Sequence, residues 1–277
     1  MEFFCRALVE NTTCSPDYVA RHGLSLYIEA HGRRILFDLG PDASFLKNAG
    51  KMGIDISAVD TVVISHGHFD HGGGLSTFLK NNDKARIYVR EGAFEKHFSR
   101  IAALPVPIGI DRSLMDNPRI ITTSEICIID EGISLFSGVT GRRLFSSANG
   151  NLLERTKKGL KRDSFAHEQN LVISTSSGDV LITGCSHNGI VNIIDRYRDI
   201  YGSGRHLSTV IGGFHLYSKG SGHYESPELV CDLASELSSI GAAFHTCHCT
   251  GPQAYENMKS IMGDRLSCLR TGDSVSL

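Results

Sequence analysis

What the chain lacks narrows its function before any motif is read. No stretch approaches the roughly 18 apolar residues of a spanning helix. The opening MEFFCRALVEN has neither a basic start nor a long apolar core. A membrane span and a secretory leader are therefore not expected, and a cytoplasmic protein is. Charge of either sign is also not in excess: 28 basic against 30 acidic residues leave a formal net of -2. Nothing global draws such a chain onto nucleic acid or an anionic membrane, so a small-molecule substrate is the expected partner. Cysteines at CxxC spacing are missing too. Cys5, Cys14, Cys127, Cys185, Cys231, Cys247, Cys249 and Cys268 are too dispersed for a disulfide framework or a zinc knuckle, and reduced thiols are the default. No GxGxxG fingerprint, low-complexity segment or short-period repeat is found.

What is present is a chain of 277 residues with 41% hydrophobic content, enough to bury a sizeable core in one large domain or two small ones. Strands and helices are mixed. LSLYIEAHGRRILFDLG reads as two strands joined at His31 and Gly32, and VDTVVISHGH as a third. DASFLKNAGKMG between them has helical spacing, with Asp42 as its cap and Gly50 or Gly53 near its stop. GLSTFLKNND reads as a helix, ARIYVR as a strand and EGAFEKHFSRI as helical. Residues 103–165, with Pro105, Pro107, Pro118 and the basic run ERTKKGLKRD, read as an insertion or lid. Beyond it the pattern repeats as apolar strand, polar turn bearing a histidine, helix. This suggests stacked sheets with helices outside.

The chemistry concentrates in VVISHGHFDHGGG, residues 62–74. His66 and His68 stand two apart on a turn leaving a strand, so both imidazoles can pinch one ion. Asp70 and His71 follow on the bend and can reach a second ion beside the first. Nitrogen and carboxylate donors of this kind suit zinc, iron or manganese. Four donors cannot close two sites, so histidines from other strand ends must converge. His187 in LITGCSHNG and His248 in TCHCTG are the expected ligands, with His167 in reserve. His215 in IGGFHLY has the same placement and is read as facing the substrate. His245 is read as structural, and His22, His31, His97, His206 and His223 as surface or supporting residues. Cys185 ends a strand and is either a metal-bridging thiolate or a small buried thiol. Cys247 and Cys249 would point away from His248 in an extended segment and read as packing. Asp38 in ILFDLG is expected to orient a ligand histidine or the metal-binding turn.

SHGHFDHGGG preceded by ILFDLG resembles the metallo-β-lactamase superfamily. With HGLSLYIE, LITGCSHNGIVNII, GGFHL and HCTG in order, the likeness covers most of the chain. It extends to the branch known as 7,8-dihydropterin-6-yl-methyl-4-(β-D-ribofuranosyl)aminobenzene 5'-phosphate synthase. The resemblance implies an α/β (α+β) fold, a four-layer αββα sandwich forming a single domain over residues 1–277. It also implies two divalent metal ions, zinc foremost with iron or manganese as alternatives. His66, His68 and His187 would hold one, and Asp70, His71 and His248 the other. Many superfamily hydrolases carry a metal-bridging aspartate where this chain has Cys185.

The expected activity is metal-dependent hydrolysis or group transfer at a phosphoryl or carbonyl centre, on a pterin or a phosphorylated small molecule. Asp70 and His215 are the expected catalytic residues. A di-iron redox protein on the same fold is the alternative, with Cys185 tuning the potential.

Overall fold

A computed structural model describes residues 2–277. Two seven-stranded sheets face each other. The first contains β1 (Phe3–Val9), β2 (Ser25–Ala30), β3 (Arg33–Phe37), β4 (Thr61–Ile64), β5 (Arg86–Arg90), β8 (Ile120–Thr123) and β20 (Ser274–Ser276), in the order β20-β1-β2-β3-β4-β5-β8. The second contains β9 (Ile126–Asp130), β10 (Ile133–Phe136), β13 (Asn170–Thr175), β14 (Gly178–Ile182), β15 (Leu207–Gly212), β18 (Ala243–Thr246) and β19 (Leu266–Cys268), in the order β19-β18-β15-β14-β13-β10-β9. Helices α1 (Ser44–Lys51), α2 (Phe69–Gly72) and α3 (Leu75–Asn81) follow strands of the first sheet, and α4 (Ile190–Tyr201), α5 (Pro227–Ile240) and α6 (Pro252–Met262) belong to the second.

The central strands read as unbroken apolar runs because both of their faces are covered. In β3, Ile35 and Phe37 enter the core between the sheets while Leu36 packs with Phe45 of α1 and Phe78 of α3. In β14, Val180 and Ile182 enter that same core while Leu181 packs with Ile194 and Tyr197 of α4. The period-two alternation of a strand thus feeds two different cores from one segment. The outcome is helix, sheet, sheet, helix, the four-layer sandwich expected from the resemblance.

Parallel pairing decides where the loops go. β3 pairs parallel with β4, and β14, β15 and β18 pair parallel in succession. Their carboxyl ends therefore lie together, and from them run Asp38, the His66 turn, the Cys185–His187 turn, His215 and His248.

Two expectations need correction. Residues 91–101 are not helical: after a turn, β6 (His97–Ile101) pairs with β7 (Leu104–Pro107) and with β11 (Leu152–Thr156). Ala93 and Phe94 are buried as an amphipathic helix would require, but strand pairing overrides that spacing. Residues 103–165 are also not one insertion, since β8, β9 and β10 belong to the main sheets. The basic run forms β11 and β12 (Gly159–Arg162), the outer half of a small sheet ordered β12-β11-β6-β7. A two-stranded ribbon, β16 (Tyr217–Ser218) with β17 (His223–Tyr224), completes the strands. Among the described residues no helix is long and apolar enough to cross a membrane.

Phe244 on β18 is fully buried in the core beneath α5 and α6. Phe244→Ala is expected to cost about 3–5 kcal/mol in urea unfolding. A loss well under 1 kcal/mol would contradict this packing.

Candidate metal centre

Asp38 follows β3 with φ 60 and is wholly buried. Its Oδ1 accepts the Ser65 backbone N–H at 2.7 Å, and its Oδ2 accepts the Ser65 hydroxyl at 2.7 Å. The same Oδ2 lies 2.6 Å from His71 Nδ1. Asp38 thus holds both ends of the turn, as expected of it. Because the Ser65 hydroxyl hydrogen goes to Asp38, its oxygen is left to accept from His66 Nδ1 at 2.9 Å. That fixes the His66 tautomer and leaves Nε2 as a bare lone pair.

Gly67 lets the turn pass close under a neighbouring loop, for a Cβ there would lie 2.2 Å from the Ala93 carbonyl oxygen. Its N–H donates to His167 Nδ1 at 3.0 Å, while His167 Nε2 and His97 Nδ1 both meet Asp163 Oδ2, at 3.2 and 2.9 Å. With both ring nitrogens engaged, His167 supports the turn and is not free to ligate. His97, expected to be a surface or supporting residue, is a buried member of that support.

The two distant histidines are gripped in the same way. The His187 N–H donates to Glu168 at 2.6 Å, its Nδ1 meets Asn149 Oδ1 at 2.9 Å, and Asn149 Nδ2 donates to its carbonyl at 2.9 Å. The His248 N–H donates to Glu10 at 2.8 Å, its Nδ1 meets Asn11 Oδ1 at 2.9 Å, and Asn11 Nδ2 donates to its carbonyl at 2.9 Å. Each asparagine donates through nitrogen to the carbonyl, so its oxygen must accept the ring proton. Nε2 is again left bare.

The Nε2 atoms of His66, His68, His187 and His248 are all buried without a hydrogen-bond partner. Such atoms are costly unless something outside the chain meets them. His66, His68 and His187 offer donor atoms within 4.8 Å of one another, and so do Asp70, His248 and His22. His248 Nε2 stands 3.3 Å, His22 Nε2 3.6 Å and His71 Nε2 3.9 Å from Asp70 Oδ2. The bare His248 Nε2 facing a carboxylate fits a cation between them, and this nitrogen and oxygen set suits zinc, iron or manganese. The six side chains expected to ligate, His66, His68, Asp70, His71, His187 and His248, thus lie around one place.

Three features escaped sequence reading. His22 joins the second group because the Leu24 N–H donates to the Asp70 carbonyl at 3.2 Å, a backbone pairing with no local signature. Cys249 does not point away: residues 248–250 form a 3-10 turn and His248 has φ 53, so strand alternation fails there. Its sulfur falls with Cys185 and His215, all three donors within 4.8 Å. The grips by Glu10, Asn11, Asn149 and Glu168 were also missed. Cys185 Sγ lies 3.1 Å from His71 Nε2. Cys247 is buried in the core between the sheets, the packing role expected.

Burial works against protonating His66, His68 and His187, and neighbouring histidines add to it, so all three are held well below 6.5. Burial also opposes charge on His71, but the Asp38 and Asp70 carboxylates outweigh it and raise the ring to about 9. Burial would raise the Asp70 carboxyl, yet His71 and His248 hold it well below the usual carboxylate range.

A cavity of about 760 Å³ opens over these donors. Phe69, Ile101, Val106, Pro107, Ile108 and Leu152 form an apolar wall, and Lys219 and Arg21, the latter paired with Asp42 at 3.4 Å, bring charged groups to it. His215 also lines it, with neither ring nitrogen hydrogen-bonded.

A family model described as the metallo-beta-lactamase superfamily matches residues 18–204. The 7,8-dihydropterin-6-methyl-4-(beta-D-ribofuranosyl)-aminobenzene-5'-phosphate synthase of Methanocaldococcus jannaschii is 29% identical over 264 residues, 86% of this chain and 84% of that protein. An uncharacterized protein of the same organism is 25% identical over 257 residues, 92% of this chain and 94% of its own. Among solved structures, Tm1679, described as a metal-dependent hydrolase of the beta-lactamase superfamily, superposes with a TM-score of 0.81 at 28% identity. That match covers 100% of this chain and 99% of that one.

Asp38→Asn keeps the shape but removes the charge that orients His71 and Ser65. Metal affinity, read by chelator competition, is expected to fall about 10–100-fold; unchanged affinity would exclude this role. The pH dependence of the metal-free chain has two limbs. His66, His68 and His187 have depressed folded pKa values, so the stability they allow is present above 6.5 and lost as pH falls. His71 is raised to about 9, so its contribution is full below 6.5 and lost as pH rises through about 9. Urea unfolding after chelation should show both falls, and Asp38→Asn should shrink only the alkaline one. An unaltered alkaline fall in that variant would refute the assignment.

Proposed function

The chain belongs to the metallo-beta-lactamase superfamily, and from that premise we propose that it is a metal-dependent hydrolase or group-transfer enzyme acting at the phosphoryl centre of a small molecule. The observation that carries this reading is the set of four buried, unpartnered Nε2 atoms on His66, His68, His187 and His248, arranged with Asp70 at the foot of an open cavity.

In this reading His66, His68 and His187 hold one divalent ion, and Asp70, His71 and His248 the other, with His22 at their edge. Zinc is the first ion to test, iron and manganese the next. When bound, such ions supply a Lewis acid and lower the pKa of water toward about 7.

The remaining work falls to the chain. The clamps on His187 and His248 keep both rings in the tautomer that exposes Nε2, so the site is oriented before ligands arrive. Asp70 is held too far below the usual carboxylate range to be a good general base at neutral pH, so its task is to hold and orient. His215 offers an unpartnered ring N–H to negative charge developing on a phosphoryl oxygen. The wall from Phe69 to Leu152 suits a flat apolar group, while Arg21 and Lys219 suit a phosphate. A pterin phosphate, the chemistry in the name of the Methanocaldococcus jannaschii relative, is the first substrate class to try. A cytoplasmic setting, which keeps the thiols reduced, belongs to the same reading.

Purified protein loaded in turn with zinc, iron and manganese should turn over members of a panel of phosphomonoesters, phosphodiesters, diphosphates and pterin phosphates. His68→Ala and Asp70→Ala should drop to the background rate while keeping the native circular dichroism. Full activity after chelation, or in either variant, would overturn the proposal. Cys185, beside His71, is the one observation favouring an iron redox centre instead. Iron that cycles with oxygen while the whole panel stays intact would support that second reading.

A further inference from the structure

Two clusters of donor side chains border the centre, and they differ in kind. In the group behind His68, the rings of His97 and His167 are hydrogen-bonded at both nitrogens, to Asp163, the Gly92 carbonyl and the Gly67 N–H. It is internally satisfied. In the group formed by Cys185, His215 and Cys249 the sulfurs are engaged, Cys185 Sγ 3.1 Å from His71 Nε2 and Cys249 Sγ donating to the Cys185 carbonyl at 3.5 Å, but the imidazole is not. All three side chains are buried at the cavity floor, their donor atoms lie within 4.8 Å of one another, and neither nitrogen of His215 has a partner although the residue is only 7% exposed.

The surrounding backbone is shaped for these side chains. The His215 N–H donates to Cys249 Sγ at 3.3 Å, and the Ser146 hydroxyl donates to the His215 carbonyl at 2.6 Å. His215 and His248 both adopt left-handed φ, 45 and 53, which turns the two loops toward each other. Gly213 leaves the space for sulfur, since a Cβ there would lie 2.5 Å from Cys249 Sγ.

We propose that Cys185, Cys249 and His215 form a third, sulfur-rich metal site in the cavity floor, taking a soft or borderline ion such as zinc(II) through two thiolates and one imidazole. Two sulfurs and a nitrogen are the donor set such ions favour over carboxylates, and a fourth position remains open to the cavity. The site uses none of the six side chains assigned to the other two ions, so it goes beyond the function proposed above. Binding releases the two thiol protons to solvent and requires no oxidant or reductant. Ligation through one ring nitrogen leaves the other nitrogen of His215 as an N–H donor.

Chelator-treated protein titrated with cobalt(II) tests this, because thiolate ligation produces an intense near-ultraviolet charge-transfer band that imidazole and carboxylate ligation does not. The band is expected in the native chain, weakened in Cys249→Ser, absent in the Cys185→Ser/Cys249→Ser double variant and retained in His68→Ala. His68→Ala disables only one of the two proposed ion sites, so the band is also expected in His68→Ala/Asp70→Ala, which separates this site from both and lets either reading fail without the other. No band in the native chain, or a band unchanged in Cys249→Ser, would overturn the proposal. Should the double variant fail to fold, alkylation of the native chain mapped peptide by peptide decides. Zinc is expected to protect Cys185 and Cys249 while the exposed Cys14 and Cys231 stay reactive. Equal labelling of Cys249 with and without zinc, or a Cys185–Cys249 disulfide recovered in place of bound metal, would overturn it.

Discussion

The carboxylate of Asp38, removed from water and bonded at once to Ser65 and His71, is the constraint on which the rest of the centre depends. A buried charge of this kind is stable only when its partners are fully engaged. Here the partners are the first and last residues of the Ser65–His71 turn, so satisfying the carboxylate and closing the turn are one event. The same bonds settle proton positions: Ser65 gives its hydrogen to Asp38 and is then an acceptor for His66. One residue past the end of β3 thereby sets the geometry of the turn after β4, which is why these neighbouring parallel strands both matter to the chemistry.

The opposite side of the cavity reaches the same result with asparagine and glutamate pairs. Asparagine amides hold His187 and His248 through ring and carbonyl, and glutamates take their backbone N–H groups. Burial raises the Glu168 carboxyl, and the bonds from Asn188 and the His187 N–H offset only part of that rise. Each of these two Nε2 atoms is thus aimed by bonds made elsewhere on the same residue, and the rings are oriented without any further partner.

Much of this was legible in the sequence, and for a physical reason. A strand buried on both faces reads as an apolar run, and the polar residue that ends it is conspicuous, so Asp38, His66, His187 and His248 stand out from β3, β4, β14 and β18. The repeat of apolar strand, histidine-bearing turn and helix anticipated α4, α5 and α6 in the same way. What escaped depends on contacts between distant segments. His22 enters through backbone pairing to Asp70, Asn11 and Asn149 carry no motif, and Cys249 turns inward only because His248 leaves the extended region. The helical spacing of residues 91–101 misled because burial of Ala93 and Phe94 is compatible with more than one backbone, and pairing with β11 chose the strand.

The grips on His187 and His248 also differ in how far along the chain they reach. His187 meets Glu168 and Asn149 across separations of 19 and 38 residues. His248 meets Glu10 and Asn11 across 238 and 237, and Glu10 is itself bonded to Thr271 across 261. Contacts of such separation are slow to form, since the closure entropy must be met before they reward it. The half of the centre around His187 is therefore closed by contacts that are near in sequence. The half around His248 joins segments far apart in the sequence, so forming it carries the larger loop-closure entropy.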